Sequence, residues 1–319
     1  MLFKNKKMRD RIVFIITILV TIIIFILLFA RIKDSDFLVN IKNINIFFLM
    51  IAIIALAPGI LLLAYRWKLM ISDYKKISFL ESVRIFMFSQ TTSIITPSRV
   101  GEYGKTFFLR DKKFNLKIGT SAFLLEKIFD VFFIALFCFV GIMSIKKPIN
   151  HTLIMVVYIV FFMLLAGMIL LLSVSFRKNS FLFGLINKII PFAKLKNLIF
   201  DMLSYLEKIK KDKKKLCLIF AVSFLAWFFL LFEGYLFFWA IGYQSQVSFF
   251  TALGLIPIGI LIGMIPITIA GMGTRDAAFV MLFSYYVPAQ MIIIFGLLFS
   301  LRYFVPALIG LIWTKRYVK

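Results

Sequence analysis

The chain has 319 residues, 62% of them hydrophobic and 17% aromatic, with 38 Lys and Arg against 14 Asp and Glu, a formal net charge of +24. Soluble domains are about 45–50% apolar, so this composition excludes an ordinary soluble enzyme and a disordered chain. Two cysteines and one histidine exclude a disulfide scaffold and a His-rich metal site, and we expect no metal and no cofactor. The positive charge, beside long apolar runs, indicates loops that face anionic lipid rather than nucleic acid.

Six apolar runs are long enough to cross a bilayer, which requires about 20 apolar residues per helix. In chain order they are Ile12–Ala30, Ile44–Tyr65, Ile118–Ile145, Thr152–Ser175, Leu216–Gly242 and Ala289–Trp313. The first run is longer than the apolar part of a signal peptide, so we expect it to be retained as a span. The predicted fold class is all-α: a polytopic membrane protein of about six full spans, with one transmembrane domain over residues 1–319.

Basic residues orient these spans, because cytoplasmic loops carry an excess of Lys and Arg. With the N-terminus inside, the segments 4–11, 66–117, 177–215 and 315–319 are cytoplasmic and contain 30 of the 38 cations. We therefore expect a multi-pass protein of the cell (plasma) membrane with both termini in the cytoplasm. The connection 176–215 carries apolar residues at helical spacing. It is either a set of amphipathic helices on the inner leaflet, against anionic phospholipid, or an ordinary basic loop that enforces the topology.

Two further apolar stretches, about 77–108 and 249–287, are broken by Pro and Gly at Pro97, Gly101 and Gly104 and at Pro266, Gly271 and Gly273. The charge distribution requires each stretch to return to the side from which it started. We interpret both as re-entrant helical hairpins, whose irregular tips must line a cavity or be buried in protein. Span, hairpin and span then occur twice in opposite orientation, the pattern of an inverted repeat with a substrate site at the repeat interface. The alternative is two kinked full spans.

Charged residues inside membrane segments cost about 2.5–3.5 kcal/mol each on insertion scales, so each needs a partner or a function. We expect a polar cavity between the tips, where helix N-termini after Gly104 and Gly273 favour an anionic group such as phosphate. The candidate substrate-binding residues are Arg99, Gly101, Glu102, Lys105, Gly271, Gly273 and Arg275. The candidate ion-pair or proton-coupling residues are Glu126, Lys127, Asp130 and Asp276.

Local spacing also predicts specific contacts among these charges. Glu126 and Asp130 share a helix face, and Lys127 is three residues from Asp130 and can pair with it. Glu233 and Arg302 lie deep in two predicted spans and are expected to pair with each other. Trp227, Trp239 and Trp313 lie near span ends or within their last turns and are expected to anchor spans at the membrane interface.

Two stretches, Thr96–Arg110 and Ser121–Asp130, resemble the lysylphosphatidylglycerol synthase transmembrane-region family, also called the flippase-like domain family. The family pattern is matched at Pro97, Gly101, Glu102, Glu126 and Asp130. Lys127 stands where the family has Arg, which keeps the charge but loses the planar fork. The segment Gly271–Asp276 resembles the second, glycine-rich tip of the family. The resemblance covers about Ile12–Trp313 and implies translocation of a lipid.

The leading hypothesis is a flippase-like protein, not an enzyme, that moves a phospholipid, an aminoacyl-phospholipid or a polyisoprenyl-phosphate glycolipid. No Walker loop is present, so transport would be downhill or ion-coupled. One alternative is a membrane glycosyltransferase, in which Asp34 and Asp36 would form a metal-binding pair. The other is an accessory subunit that anchors a separate synthase or glycosyltransferase. The expected partners are membrane lipids, and the pattern predicts no oligomeric state.

Overall fold

A computed structural model describes residues 18–24, 26, 41–94, 96, 100–109, 114–144, 151–173, 188, 190–265 and 267–313 of the chain, and the regular structure of these residues is helical. The helices are α1 Ile46–Ile71, α2 Phe79–Ser93, α3 Gly104–Phe107, α4 Leu116–Met143, α5 His151–Ser173, α6 Ala193–Lys210, α7 Lys213–Ala240, α8 Phe249–Gly263, α9 Thr274–Phe283 and α10 Ala289–Gly310. Short 3-10 turns cover Val100–Tyr103 and Leu311–Trp313.

Four helical segments are long and apolar enough to cross a membrane. They are Ile46–Ile71, Ile154–Ser173, Lys213–Ala240 and Ala289–Trp313, and they confirm the prediction of an all-α, multi-pass membrane protein. The predicted span Ile118–Ile145 corresponds to α4, which differs from these four in carrying three charged residues at its centre, Glu126, Lys127 and Asp130. The predicted first span lies mostly outside the described residues. The total of six therefore stays a prediction.

The centre of the bundle is the antiparallel pair α1 and α7. At one end the backbone N–H of Asn45 donates to the carbonyl of Ala240 at 2.8 Å. At the other end Lys215 forms an ion pair with Asp73 at 2.9 Å. These two contacts define the ends of the bundle, which we call the Asn45 end and the Asp73 end.

The first broken segment begins and ends at the Asp73 end. Its first limb, α2, starts with Ser78, whose hydroxyl accepts a hydrogen bond from the N–H of Glu81 and so caps the helix. After the break, the chain returns through α3 until the Lys75 ammonium donates to the carbonyl of Leu109 at 2.8 Å. The segment therefore enters the bundle and leaves it on the same side.

The second broken segment begins and ends at the opposite, Asn45 end. Its first limb, α8, has the same 15-residue length as α2 and the same kind of cap, since Ser248 accepts from the N–H of Thr251. The rings of Phe249 and Tyr235 lie 5.5 Å apart, and those of Phe283 and Phe238 lie 4.9 Å apart, so both limbs reach the last turns of α7. The two tips meet inside the bundle, where the N–H of Ala270 donates to the carbonyl of Thr96 at 3.3 Å.

Two further helix pairs pack closely: α4 lies against α8, and α10 lies against α2. A Cβ atom on Gly141 of α4 would overlap the backbone of Gly254 in α8. A Cβ atom on Gly310 of α10 would overlap the carbonyl of Met87 in α2. Glycine is therefore required in both contacts, because only its absent side chain lets the backbones approach so closely.

The helix α6 lies in the basic connection 176–215 and directs most of its apolar face into the bundle. Met202, Leu203, Tyr205, Leu206 and Ile209 are buried, whereas Leu195 near the start of the helix is exposed. The buried part packs against α4 and α7, and the Tyr205 hydroxyl donates to the carbonyl of Met70 at 2.6 Å. This part of the face therefore contacts protein, and the position of the connection at the inner leaflet stays a prediction. The predicted helix at 182–190 lies almost entirely outside the described residues.

Candidate functional site

A cavity of about 340 Å³ lies between the two tips, within the size range of small-ligand sites. Its apolar wall includes Leu56, Ile60 and Leu63 of α1 and Ile260 of α8. Its polar wall includes five charged groups of the first half, Arg66, Glu102, Glu126, Lys127 and Asp130, and two of the second, Arg275 and Arg302. The cavity therefore offers one surface to a charged group and another to a hydrocarbon chain.

Arg66 is the centre of the polar wall. It is completely buried near the end of α1, and its Nη2 atom donates to Glu126 at 3.0 Å and to Asp130 at 2.7 Å. Its Nη1 atom donates to the Ser223 hydroxyl of α7 at 3.2 Å. The Trp227 indole N–H also donates to Asp130, at 2.9 Å. These contacts connect α1 and α4 of the first half to α7 of the second.

Two lysines complete this network. Lys105, from the return limb of the first segment, is fully buried, pairs with Glu126, and lies 4.4 Å from the centre of the Trp67 ring. Lys127 pairs with Glu102 at 2.6 Å and with Asp130 at 3.2 Å. Three cations thus face three carboxylates in one connected network.

A second charged group lies at the other tip. Arg275 is buried, and its Nε and Nη2 atoms donate to Asp276 at 2.9 and 2.6 Å. Its Nη2 atom also donates to the carbonyl of Gly296 and to the Ser300 hydroxyl of α10, at 3.0 and 2.8 Å. Arg275 is therefore fixed against α10, but it still lines the cavity.

The predicted pair of Glu233 and Arg302 is confirmed. The Arg302 Nε atom donates to Glu233 at 2.9 Å, and its Nη2 atom contacts both Glu233 and the carbonyl of Leu230. Both side chains are buried between α7 and α10. This ion pair connects α7 to α10, as the pair of Arg66 with Asp130 connects α1 to α4.

The glycine at each tip is explained by close backbone packing. Gly271 has φ +76°, and a Cβ atom there would overlap the carbonyl of Gly263. A Cβ atom on Gly101 would overlap the backbone of Thr92. These glycines shape the tips and do not present a side chain to a ligand.

The expected helix N-termini differ from the prediction. The helix that begins at Gly104 is a single turn of four residues, so it has little of the dipole expected there. The helix α9 begins directly after Gly273 as predicted, but the N–H of Gly273 already donates to the side chain of Asp276 at 2.9 Å. Asp276 therefore occupies the anion position of this N-terminus.

The family of the chain is decided by comparison with known proteins. The family model described as the lysylphosphatidylglycerol synthase TM region matches residues 14–310. The chain belongs to this family. Comparison with the curated proteins finds no match.

Within this family member, the structure brings most of the predicted residues to one cavity. Glu102, Glu126, Lys127, Asp130, Gly271 and Arg275 line it, while Lys105 and Asp276 pair with residues that do. Glu126 and Asp130 share a face as predicted, and the predicted pair of Lys127 with Asp130 is confirmed. Arg99 lies outside the described residues. The described part of the chain contains no cluster of His, Cys, Asp or Glu suited to a metal ion.

Two residues of the site differ from their sequence interpretation. Arg66 was assigned to a cytoplasmic segment, because the apolar run ends at Tyr65, but α1 continues to Ile71 and carries Arg66 into the interior. Trp227 does not anchor a span at the membrane interface, because its indole N–H donates a hydrogen bond to Asp130 inside the bundle. A charged residue directly after an apolar run could have signalled Arg66, but nothing local in the sequence identifies its partners.

Proposed function

We propose that this protein is a flippase-like translocator that carries a lipid with a phosphate-containing headgroup between the leaflets of the plasma membrane. The observation that carries the proposal is the cavity between the two tips. Its paired charges can receive a polar headgroup, while its apolar wall can accommodate the start of the acyl or isoprenyl chains. In this proposal the protein catalyses no covalent reaction and requires no cofactor.

The proposed transport unit is an inverted repeat, with α1 to α4 as one half and α7 to α10 as the other. The reciprocal contacts of α4 with α8 and of α10 with α2 are those expected of two related halves, as in a two-fold interface. Cys138 donates to the carbonyl of Gly254 and Thr91 donates to the carbonyl of Ala307, so each glycine contact has a hydrogen bond three residues before Gly141 or Gly310.

The positions of Arg66 and Glu233 also support the proposed inverted repeat. They lie equally far from the first residues of α1 and α7, and each forms a buried ion pair with the last span of its own half. In an inverted repeat these are corresponding positions with reversed charge. The broken segments are then re-entrant hairpins that enter from opposite sides, and alternating opening of the two tips would expose the cavity to each leaflet in turn.

The proposed orientation places the Asp73 end in the cytoplasm together with both termini, because the basic segments cluster there. Exposed lysines near this end, Lys194, Lys208, Lys211, Lys213 and Lys214, would attract anionic phospholipid and could also receive a separate synthase.

Reconstitution into liposomes tests the proposal. Purified protein is inserted into vesicles that contain fluorescent phospholipids or polyisoprenyl phosphates, and the fraction of label that moves between leaflets is measured with a membrane-impermeant quencher. We expect transport by the unmodified chain, and at least a tenfold slower rate for Glu102→Ala and Arg275→Ala, since buried charge-assisted contacts are worth about 1.5–3 kcal/mol.

Lys117→Met is the matched control, because the Lys117 side chain is 65% exposed and pairs with Asp201 at the surface. Its rate should equal that of the unmodified chain. Rates that are equal for the unmodified chain, Glu102→Ala and Arg275→Ala would exclude transport through this cavity.

A further inference from the structure

Lys127 differs from the other charged residues of the polar wall. Its side chain is 30% exposed, whereas Arg66, Lys105, Glu102 and Asp130 are all 7% exposed or less. Its ammonium lies between a carboxylate of the first tip, Glu102, and a carboxylate of α4, Asp130. It is therefore held at the edge of the network, where it can leave without unpacking a helix.

The surroundings of this ammonium form a binding site of recognisable chemistry. Two carboxylates accept from it, and the Phe123 ring centre lies 5.5 Å from the Nζ atom. Carboxylates and an aromatic face are the groups that bind primary ammonium ions in proteins. Glu102, Phe123 and Asp130 all line the cavity, so this site opens toward the proposed headgroup position.

The phosphate of the same headgroup would meet cations in this cavity. Arg66, Arg275 and Arg302 all line it. Each of these arginines already pairs with a carboxylate, so the phosphate would join existing ion pairs. The cavity thus presents guanidinium groups as well as a carboxylate pair.

The headgroup that fits this site carries a primary ammonium. Among the described residues, Arg66, Lys105 and Lys127 pair with Glu102, Glu126 and Asp130. An incoming ammonium that takes the place of the Lys127 ammonium leaves Glu102 and Asp130 compensated. A headgroup without an ammonium that displaced Lys127 would leave these two carboxylates without a cation at this position, which is unfavourable in a buried site.

We propose that the Glu102 and Asp130 carboxylates with the Phe123 ring form an ammonium subsite, and that Lys127 is a tethered occupant which the primary ammonium of a zwitterionic phospholipid displaces. This inference rests on the proposed function, in which the cavity receives a lipid headgroup. Lys127 suits this role because a lysine has a compact ammonium on a flexible stem, whereas an arginine would fork across both carboxylates and hold them more firmly.

The test measures lipid binding to the full chain in detergent, with fluorescent phosphatidylethanolamine and phosphatidylglycerol as probes. Lys127→Met vacates the subsite, and we expect phosphatidylethanolamine to bind about tenfold more tightly, with no gain for phosphatidylglycerol, which has no ammonium. Lys127→Arg is expected to weaken phosphatidylethanolamine binding. Because the two variants move affinity in opposite directions, a general loss of folding cannot reproduce the result.

Lys117→Met is again the control and should leave both affinities unchanged. Equal effects of Lys127→Met on the two lipids, or weaker phosphatidylethanolamine binding in Lys127→Met, would overturn the subsite. Binding does not require transport, so the two proposals fail separately. A phosphatidylethanolamine preference without movement between leaflets supports the subsite and refutes the proposed function. Transport without this preference supports the proposed function and refutes the subsite.

Discussion

At Arg66, one guanidinium satisfies two carboxylates and a hydroxyl in the interior of the bundle. A buried ion pair is a poor source of stability in itself, because desolvation offsets much of the attraction. Removing one partner is destabilising, because it leaves a buried charge without compensation. The network therefore depends on Arg66 more than on any surface cation.

Arg66→Met is expected to lower the free energy of unfolding by about 3–5 kcal/mol, because Glu126 and Asp130 lose their shared cation. The free energy of unfolding of Arg66→Lys should lie between those of Arg66→Met and the unmodified chain, since an ammonium keeps the charge but cannot contact all three partners. Thermal unfolding in detergent measures the order of stability of the three proteins.

Arg84→Met is the control for this series, because the Arg84 side chain is 30% exposed and lies 3.8 Å from Glu81 in a surface pair. Exposed pairs contribute about 0–1 kcal/mol, so its unfolding temperature should hardly change. A drop as large for Arg84→Met as for Arg66→Met would contradict the special role of Arg66.

Residue-level prediction from the sequence succeeded where the information was local. The contact of Lys127 with Asp130 follows from helical spacing. The contact of Arg66 with Glu126 joins residues 60 positions apart. Hydropathy ended the second span at Tyr65, so Arg66 was placed in a loop, and no pattern within one helix could correct this.

At the scale of elements, the decisive contacts are those of α4 with α8 and of α10 with α2. They are made possible by Gly141 and Gly310, which lie where a methyl group would meet backbone. Backbone cannot move aside as a flexible side chain can. These contacts fix how far each broken segment enters the bundle.

Gly310→Ala and Gly141→Ala are each expected to lower the free energy of unfolding by about 1–3 kcal/mol, because the helices must separate to admit the methyl group. Gly167→Ala in α5 is a matched control, since a Cβ atom there meets nothing within 4 Å. It should be neutral or stabilising by up to about 1 kcal/mol, as expected for alanine in a helix. Equal effects at positions 167 and 310, measured by thermal unfolding, would be inconsistent with backbone packing as the cause.

The elements themselves were largely predictable, and the differences have clear causes. Apolar runs located α1, α4, α5, α7 and α10 to within a few residues, except at the end of α1. The apolar face of α6 was correctly identified, but its contacts with α4 and α7 were not predicted, because periodicity is the same whether a face meets lipid or protein. The length of the helix that begins at Gly104 was overestimated, because a glycine and a charge pattern do not reveal how soon a helix ends.

At the scale of the whole molecule, the question is whether the two broken segments return to their own sides. The contacts of Lys75 with Leu109, and of Phe249 and Phe283 with α7, support re-entry from opposite ends. The sequence could propose this only through the distribution of charge. The sequence could not predict that the tips meet at Thr96 and Ala270, because hydrogen bonds between backbones have no sequence signature.

Cysteine labelling tests the topology in cells. In a background with Cys138→Ala and Cys217→Ser, single cysteines are placed at Gln246 and Pro288, which flank the second broken segment and are exposed. Both should react with an impermeant maleimide added outside, because both lie at the Asn45 end. Cysteines at Lys76 and Lys117, which flank the first segment, should react only after permeabilisation. Opposite-side labelling of positions 246 and 288 would establish a full crossing and refute the repeat.

The distribution of the buried charges has a consequence for how the protein is made. Within the described residues, the central ion pairs each form within one part of the chain. Every ion pair of the network around Arg66 lies within residues 46–143, and those of Arg275 and Arg302 lie within residues 213–310. The pair of Lys215 with Asp73 joins the two parts, but it lies at one end of the bundle. During synthesis, residues 46–143 can therefore settle in the bilayer with their central ion pairs formed while the second part is still being translated. An assembly whose central salt bridges crossed between the two parts would instead leave bare charges in lipid until the last helix emerged from the ribosome.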